Sequence, residues 1–266
     1  MKNTYSINEI IACALARDVK DGESVQCGAN AVVQRAAYLL AHLHHGPNMR
    51  MLIGRTFTNL FQVPELQLYD SNTDWRAARW GEYIIPHDES FSYNTNRAVN
   101  NFAIGALQID QYGNTNMIGI GDDYKNLKVR GPGGVGTTCV SAVKSKFYII
   151  MRRHDIKSFV NKLDFVSGIG FYKGGNSRKT ELGLTGEGPT LVASPLGIFD
   201  FEENTKRMRI KSIHPGVNIN EIIDNTGFDV IIPDKLETTM TPTELEIQIL
   251  RTRIDPKGVL RREIEQ

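Results

Sequence analysis

The sequence is poor in cysteine and has no long apolar run. Its three cysteines, Cys13, Cys27 and Cys139, are an odd number, far apart and without a CxxC pair. That excludes a disulfide framework and a cysteine-based zinc cluster. No hydrophobic stretch approaches the ~18 residues a membrane span needs. Met1 to Ser6 leads into a helix with charges, not into the apolar core of a signal peptide. An excess of charge is missing too: 31 Lys and Arg stand against 30 Asp and Glu, leaving no nucleic-acid footprint and no acidic tail. GxxxxGK[ST], GxSxG and HExxH do not occur, which removes a P-loop, a hydrolase elbow and a zincin helix. The expectation is a soluble, cytoplasmic protein with no metal site, no membrane contact and no nucleic-acid partner. A phosphate-bearing ligand would have to be met by local geometry.

What is present is ordinary globular composition, 41% hydrophobic and 23% charged over 266 residues, read here as a single domain spanning 1–266. Ser6 with Glu9 forms a capping box that opens a helix to about Val19. A short strand at 24–28 follows, then an Ala- and Leu-rich helix at 30–45, stopped by Gly46-Pro47, and a buried strand at 49–53. Residues 54–95 lack periodicity and read as loops and short helices. Strands are predicted at 101–109, 117–120, 147–151, 190–193, 197–201 and 208–213. Helices are predicted at 219–226 and at 243–254, the latter capped by Thr241. Helices alternate with strands in the first half and strands dominate the second, which gives an α/β fold with a mixed or parallel sheet.

The most informative local feature is Gly131-Pro132-Gly133-Gly134-Val135-Gly136. It matches GxGxxG, with Asp155 near the spacing of a ribose-binding acid, but it lies mid-chain instead of in a first βαβ unit. Consecutive glycines let backbone approach a ligand and present amides to a phosphate or a developing oxyanion. The same residues equally describe a tight turn with no ligand. His42, His44 and His45 at a helix end suit the helix dipole better than a metal, and His87, His154 and His214 are isolated. Arg152-Arg153-His154 with Lys157 reads as a solvated helix start. Gly105 to Asn116 reads as strand, turn and strand, with Asp110 and Gly113-Asn114 supplying the turn.

Longer patterns go further. Gly105 to Asn116, Ile118-Gly119-Ile120-Gly121-Asp122 and Gly131-Pro132-Gly133-Gly134 resemble the β subunits of family I CoA-transferases, glutaconate CoA-transferase among them. So do Asn161 to Val166, Gly197 to Phe201, Lys206-Arg207-Met208, Asn225 to Asp229 and Ile254-Asp255-Pro256. The resemblance runs in order along nearly the whole chain. It implies an open, largely parallel α/β sheet with flanking helices, and an α subunit of similar fold, as a heterodimer or α2β2, with the active site between the two. It also implies an acyl-CoA substrate, with CoA present as part of that substrate and no permanently bound cofactor. The matching glycine loop, Gly131, Gly133, Gly134 and Val135, would lie by the thioester, with the Gly133 and Gly134 amides as oxyanion donors.

One departure stands out. In the transferases a strand ends in a glutamate that attacks the thioester. The matching strand here is Met49 to Ile53, followed by Gly54, Arg55 and Thr56, and no acidic residue occurs from Pro47 to Pro64. A cysteine, as in a decarboxylase branch, is absent there too. Val166 to Phe171, Ser212 to Val217, Ile254 to Lys257 and Arg262-Glu263-Ile264 resemble instead the β subunit of the steroid-ring-opening CoA hydrolases, whose general base sits on the α subunit. The resulting expectation is hydrolytic cleavage of a C–C bond in a cyclic keto acyl-CoA. A CoA transfer that draws its carboxylate from the α chain, or a non-catalytic subunit that shapes the pocket, are the alternatives. Arg55, Thr56 and Asn116 are the candidate substrate contacts, Arg55 through bidentate pairing with a carboxylate or else as a surface arginine.

Overall fold

The computed structural model describes residues 5–28, 31–53, 56–58, 81, 83–86, 89, 99–134, 136–143 and 146–262. The chain divides into two compact units, one built from 1–93, 98–100 and 240–266, the other from 94–97 and 101–239.

The first unit opens with helix α1 (Ile7–Asp18), started by the Ser6/Glu9 capping box. Ile10, Ile11, Leu15 and Ala16 of α1 are buried, whereas Ile7 is 40% exposed. Strand β1 (Ser24–Cys27), helix α2 (Val32–His44) and strand β2 (Arg50–Ile53) follow. β1 and β2 are parallel, with Val25 opposite Met51 and Gln26 opposite Leu52. β2 then pairs antiparallel with β3 (Thr56–Thr58), and β3 with β4 (Tyr83–Ile84). The α2 residues Ala36, Ala37, Leu39, Leu40 and Ala41 are almost wholly inaccessible, as its Ala/Leu composition predicts for a helix covered on most sides.

The C-terminal helix Glu244–Ile249 belongs to this unit and runs on into a π-helical turn, Leu250–Ile254. Its cap is Thr243, not Thr241, because Glu246 three residues later completes a capping box. The Thr241 carbonyl instead accepts from Arg17. Two ion pairs tie α1 to the C-terminal segment, Arg17 to Glu246 and Arg251 to Glu9 (Nε–Oε1 2.8 and 2.9 Å).

The second unit is a mixed sheet. β5 (Asn101–Ala106) lies parallel to β10 (Lys146–Met151), and β10 parallel to β11 (Pro189–Ala193). β12 (Gly197–Phe201) and β13 (Met208–Ile213) add antiparallel, and β14 (Glu237–Thr238) adds parallel to β13. Phe147, Tyr148 and Ile149 are wholly buried, the pattern of a strand covered on both faces. The strand predicted at 101–109 ends at Ala106: the Leu107 N–H turns away to the Asn116 carbonyl (2.9 Å). From there two small ribbons branch off. β6 (Gln108–Ile109) pairs with β7 (Thr115–Asn116), and β8 (Gly119–Ile120) with β9 (Val129–Arg130). The turn between β6 and β7 is the predicted one: Asp110 accepts from the Tyr112 and Asn114 amides, and Gly113 has φ +71°.

His154 overturns one expectation. Residues 152–154 are not a helix start, and the His154 ring is buried, stacked on Phe159 at 3.8 Å between centroids. Its Nδ1 meets Ser194 Oγ (2.7 Å) and its Nε2 meets Thr226 Oγ1 (3.0 Å). Burial pushes its pKa down to about 3, so the ring packs as a neutral, hydrogen-bonded aromatic. Arg152 and Arg153 do face solvent.

Candidate functional site

The glycine loop is carried by the two ribbons and continues into a short helix, α3 (Thr137–Val143), for which the chain offers no local signal. Its first half is pinned. Gly131 donates to the Ile118 carbonyl and Gly133 to the Met117 carbonyl, both at 2.9 Å. Gly131 must be glycine for packing, since a Cβ there would lie 2.2 Å from the Met117 carbonyl oxygen. Gly133 must be glycine for conformation: its φ is +88°, while a Cβ would meet nothing within 4 Å. Gly136 has φ +82°.

This geometry corrects one assignment. The Gly133 amide is spent on the scaffold and cannot receive an oxyanion. Among the described residues, the Gly134 and Gly136 N–H groups have no protein acceptor, so these two are the available donors. The Gly134 carbonyl accepts from Thr137, from its N–H (2.7 Å) and its Oγ1 (2.5 Å), which closes the turn into α3. The loop's glycines are partly exposed and Thr138 and Cys139 are exposed, so a ligand can reach the backbone.

Asn116 is corrected as well. It is fully buried, with Nδ2 donating to Gln108 Oε1 and the Gly119 carbonyl (both 2.7 Å) and Oδ1 accepting from Ile118 N–H (2.8 Å). These bonds commit its side chain to shaping the turn whose carbonyls hold Gly131 and Gly133, so it supports the loop and does not face substrate. Arg55 and Val135 lie outside the described residues. Thr56 begins β3, opposite Ile53, and its side chain is outside the description. β2 itself presents buried Met51 and Leu52. Cys27, at the end of β1, is buried, and burial raises its thiol pKa against the opposing effect of Arg35, so it is no thiolate nucleophile. Among the described residues no group of three or more His, Cys, Asp or Glu could hold a metal ion, and no helix is long and apolar enough to cross a membrane.

Behind the loop, α3 is fastened to the segment 167–170. Thr138 Oγ1 donates to the Ser167 carbonyl (2.6 Å), and Ser141 Oγ accepts from Ile169 N–H (2.9 Å). That segment is paired in turn with β7 through Thr115 and Gly168 (2.9 Å).

A loop of two open amides on a rigid polar bracket suits a carbonyl or phosphate oxygen, and comparison with known proteins says which family built it. The coenzyme A transferase model matches residues 68–225. This chain belongs to the coenzyme A transferase family. It is 33% identical over 251 residues to the B-type subunit of the 3-oxoadipate CoA-transferase of Pseudomonas knackmussii, covering 94% of this chain and 93% of that one. Against the B-type subunit of the glutaconate CoA-transferase of Acidaminococcus fermentans the identity is 30% over 258 residues, 95% of this chain and 93% of the relative. The crystal structure of that enzyme superposes with a TM-score of 0.86 at 28% identity, covering 98% of each chain. The IpdB subunit of the cholesterol ring-cleaving hydrolase of Mycobacterium tuberculosis is 33% identical over 172 residues, 60% of this chain and 62% of the relative. The family match begins at residue 68, beyond the stretch from Pro47 to Pro64 that lacks an acid, and includes the whole glycine loop.

Proposed function

We propose that this chain is the β subunit of a heteromeric enzyme that binds an acyl-CoA and opens a C–C bond in a cyclic keto acyl group by adding water, with the general base supplied by an α subunit. The observation that carries the proposal is the missing carboxylate: no acidic residue follows β2 before Glu65. Without a glutamate at the end of β2 this chain lacks the nucleophile for an acyl anhydride and an enzyme–CoA thioester, so the acyl group reacts while still joined to CoA. Water, deprotonated by the base, adds to the ring ketone. The tetrahedral alkoxide collapses to a carboxylic acid as the bond to the carbon next to the thioester breaks. The electron pair passes into the thioester as an enolate, whose oxygen takes hydrogen bonds from the Gly134 and Gly136 amides. Protonation of the carbon completes the ring opening. The partial match to the ring-cleaving hydrolase subunit supports this reading.

A specific observation favours a second reading. The two relatives matched over more than nine-tenths of this chain are both B-type subunits of CoA-transferases, which suits a transferase whose carboxylate lies on the α chain. The test is chemical. The reconstituted α–β complex is incubated with acyl-CoA and borohydride, which reduces a glutamyl–CoA thioester, and both chains are weighed by mass spectrometry. The expected result is no adduct and no reduced glutamate on either chain, with retained activity. A modified glutamate on the α chain supports the second reading, and one on this chain overturns both.

A further inference from the structure

Arg178 is 4% exposed, yet no carboxylate among the described residues pairs with it. Its guanidinium instead spends its donors on backbone carbonyls of three separate segments. Nε donates to Gly186 (3.1 Å), and Nη1 to Ile169 (2.9 Å) and Gly170 (2.8 Å). Nη2 donates to Ser141 (2.5 Å) and Ala142 (3.3 Å). Burial alone pulls its pKa down to about 10, so it stays charged at neutral pH. Burying an unpaired cation is expensive, and a guanidinium whose planar fork bonds five carbonyls is an unusually specific way to offset that cost.

The carbonyls it holds are informative. Ser141 and Ala142 are in the last turn of α3, where helix carbonyls lack intrahelical partners and a cation suits the dipole. α3 starts where the glycine loop ends, and its other anchors, Thr138 and Ser141, also bind the segment 167–170 that Arg178 grips. A helix of seven residues has almost no stability of its own. Its position, and with it the direction of the Gly134 and Gly136 amides, is therefore set by these anchors.

We propose that Arg178 is the positioning residue of the glycine loop: it clamps α3 from behind so that the loop amides keep their aim. As a statement about substrate this rests on the acyl-CoA reading above, while the clamp itself does not. The test uses the reconstituted α–β complex with Arg178→Ala and Arg178→Lys. Hydrogen–deuterium exchange is followed in peptides covering 131–143 and, as an internal control, in Phe147–Met151, with and without coenzyme A. In the Ala variant the loop and α3 exchange roughly tenfold faster or more while the control strand is unchanged, and coenzyme A no longer protects the loop. Millimolar guanidinium, filling the vacated fork site, restores protection where sodium chloride of equal ionic strength does not. Lys keeps the charge but cannot bridge three segments, so it loosens the loop too, and it carries the test if the Ala variant does not assemble. Unchanged loop exchange in either folded variant, or loosening spread equally over the control strand, overturns the clamp. A loop that loosens and is rescued by guanidinium, but that coenzyme A never protects even in the wild type, upholds the clamp and refutes the acyl-CoA reading.

Discussion

Replacing Gly134 by proline removes one N–H but also fixes φ at 134 and restricts Gly133, which has φ +88°, so Gly134→Ala controls for the added Cβ and thermal unfolding for the backbone strain. The Gly134 amide donates to no protein acceptor among the described residues, so its loss leaves no scaffold donor unpaired. A Cβ at 134 would lie 3.3 Å from Thr138 Oγ1, a tight contact that a small hydroxyl movement relieves. Alanine keeps the donor and should cost less than about threefold in kcat. Proline forfeits an oxyanion donor, worth roughly 10²–10³ in kcat, or about 3–4 kcal/mol. Gly133→Ala separates the two roles of the loop. Its Cβ meets nothing, but φ +88° costs a side chain about 1–2 kcal/mol. For 266 residues that lowers Tm by roughly 2–4 °C. Its amide is already bound to Met117, so any kinetic effect should fall on KM, through a methyl in the approach volume. The assay is steady-state turnover of acyl-CoA by the reconstituted complex, with thermal unfolding in parallel. Full kcat in Gly134→Pro, or a Gly133→Ala defect as large as that of Gly134→Pro at unchanged KM, would refute the assignment of donors.

Asn116→Leu should cost roughly 2–4 kcal/mol in urea unfolding, because it strands the Ile118 N–H and the Gly119 carbonyl in a buried turn; a cost under 1 kcal/mol would mean that the turn does not depend on this side chain. Acid should destabilise the fold through His154 and His214, whose pKa values are pushed down by burial to about 3 and about 4 from 6.5. Their contribution is complete above the unfolded pKa of 6.5 and is lost as pH falls from there towards the folded values. At pH 5 the loss amounts to about 2 kcal/mol for each ring relative to pH 7.5 and above, and urea midpoints in His154→Phe and His214→Asn variants that show the same pH dependence as the wild type would exclude both rings as the source.

Where a signal is local, the sequence carries it. The Ser6/Glu9 box, the Asp110–Gly113 turn and the apolar run Phe147 to Met151 are each set by neighbours along the chain, and all three form as read. α3 is different: Thr137-Thr138-Cys139-Val140 is a poor helical start by propensity, and tertiary bonds from Ser167 and Arg178 make it one. Arg178 sits in Lys173-Gly174-Gly175-Asn176-Ser177-Arg178-Lys179, which looks solvated in sequence, since nothing local announces that one of these cations turns inward. His154 misled in the same direction, because the two arginines before it are exposed while its own ring closes over Phe159.

The glycines explain why the candidate site was only half legible. A run of glycines suggests free amides, but several glycines here serve close packing of backbone on backbone. A Cβ on Gly119 would lie 2.5 Å from the Val129 carbonyl oxygen, and on Gly131 2.2 Å from that of Met117. On Gly170 it would lie 2.3 Å from the Gly113 carbonyl carbon. These positions bring the ribbons and the 167–170 segment into contact, and that contact makes the loop rigid. Rigidity is what an oxyanion donor requires, because a preorganised amide costs no reorganisation when charge develops. The scaffold therefore uses Gly119, Gly131 and Gly170, the Gly133 amide, Asn116 and the Arg178 fork to fix two N–H groups. Under the proposed function, a chain that aims two amides at an oxygen, and offers no acid from Pro47 to Pro64 to attack the neighbouring carbon, would divide the reaction with its partner: this subunit would hold the thioester, and the attacking oxygen would be activated by the other.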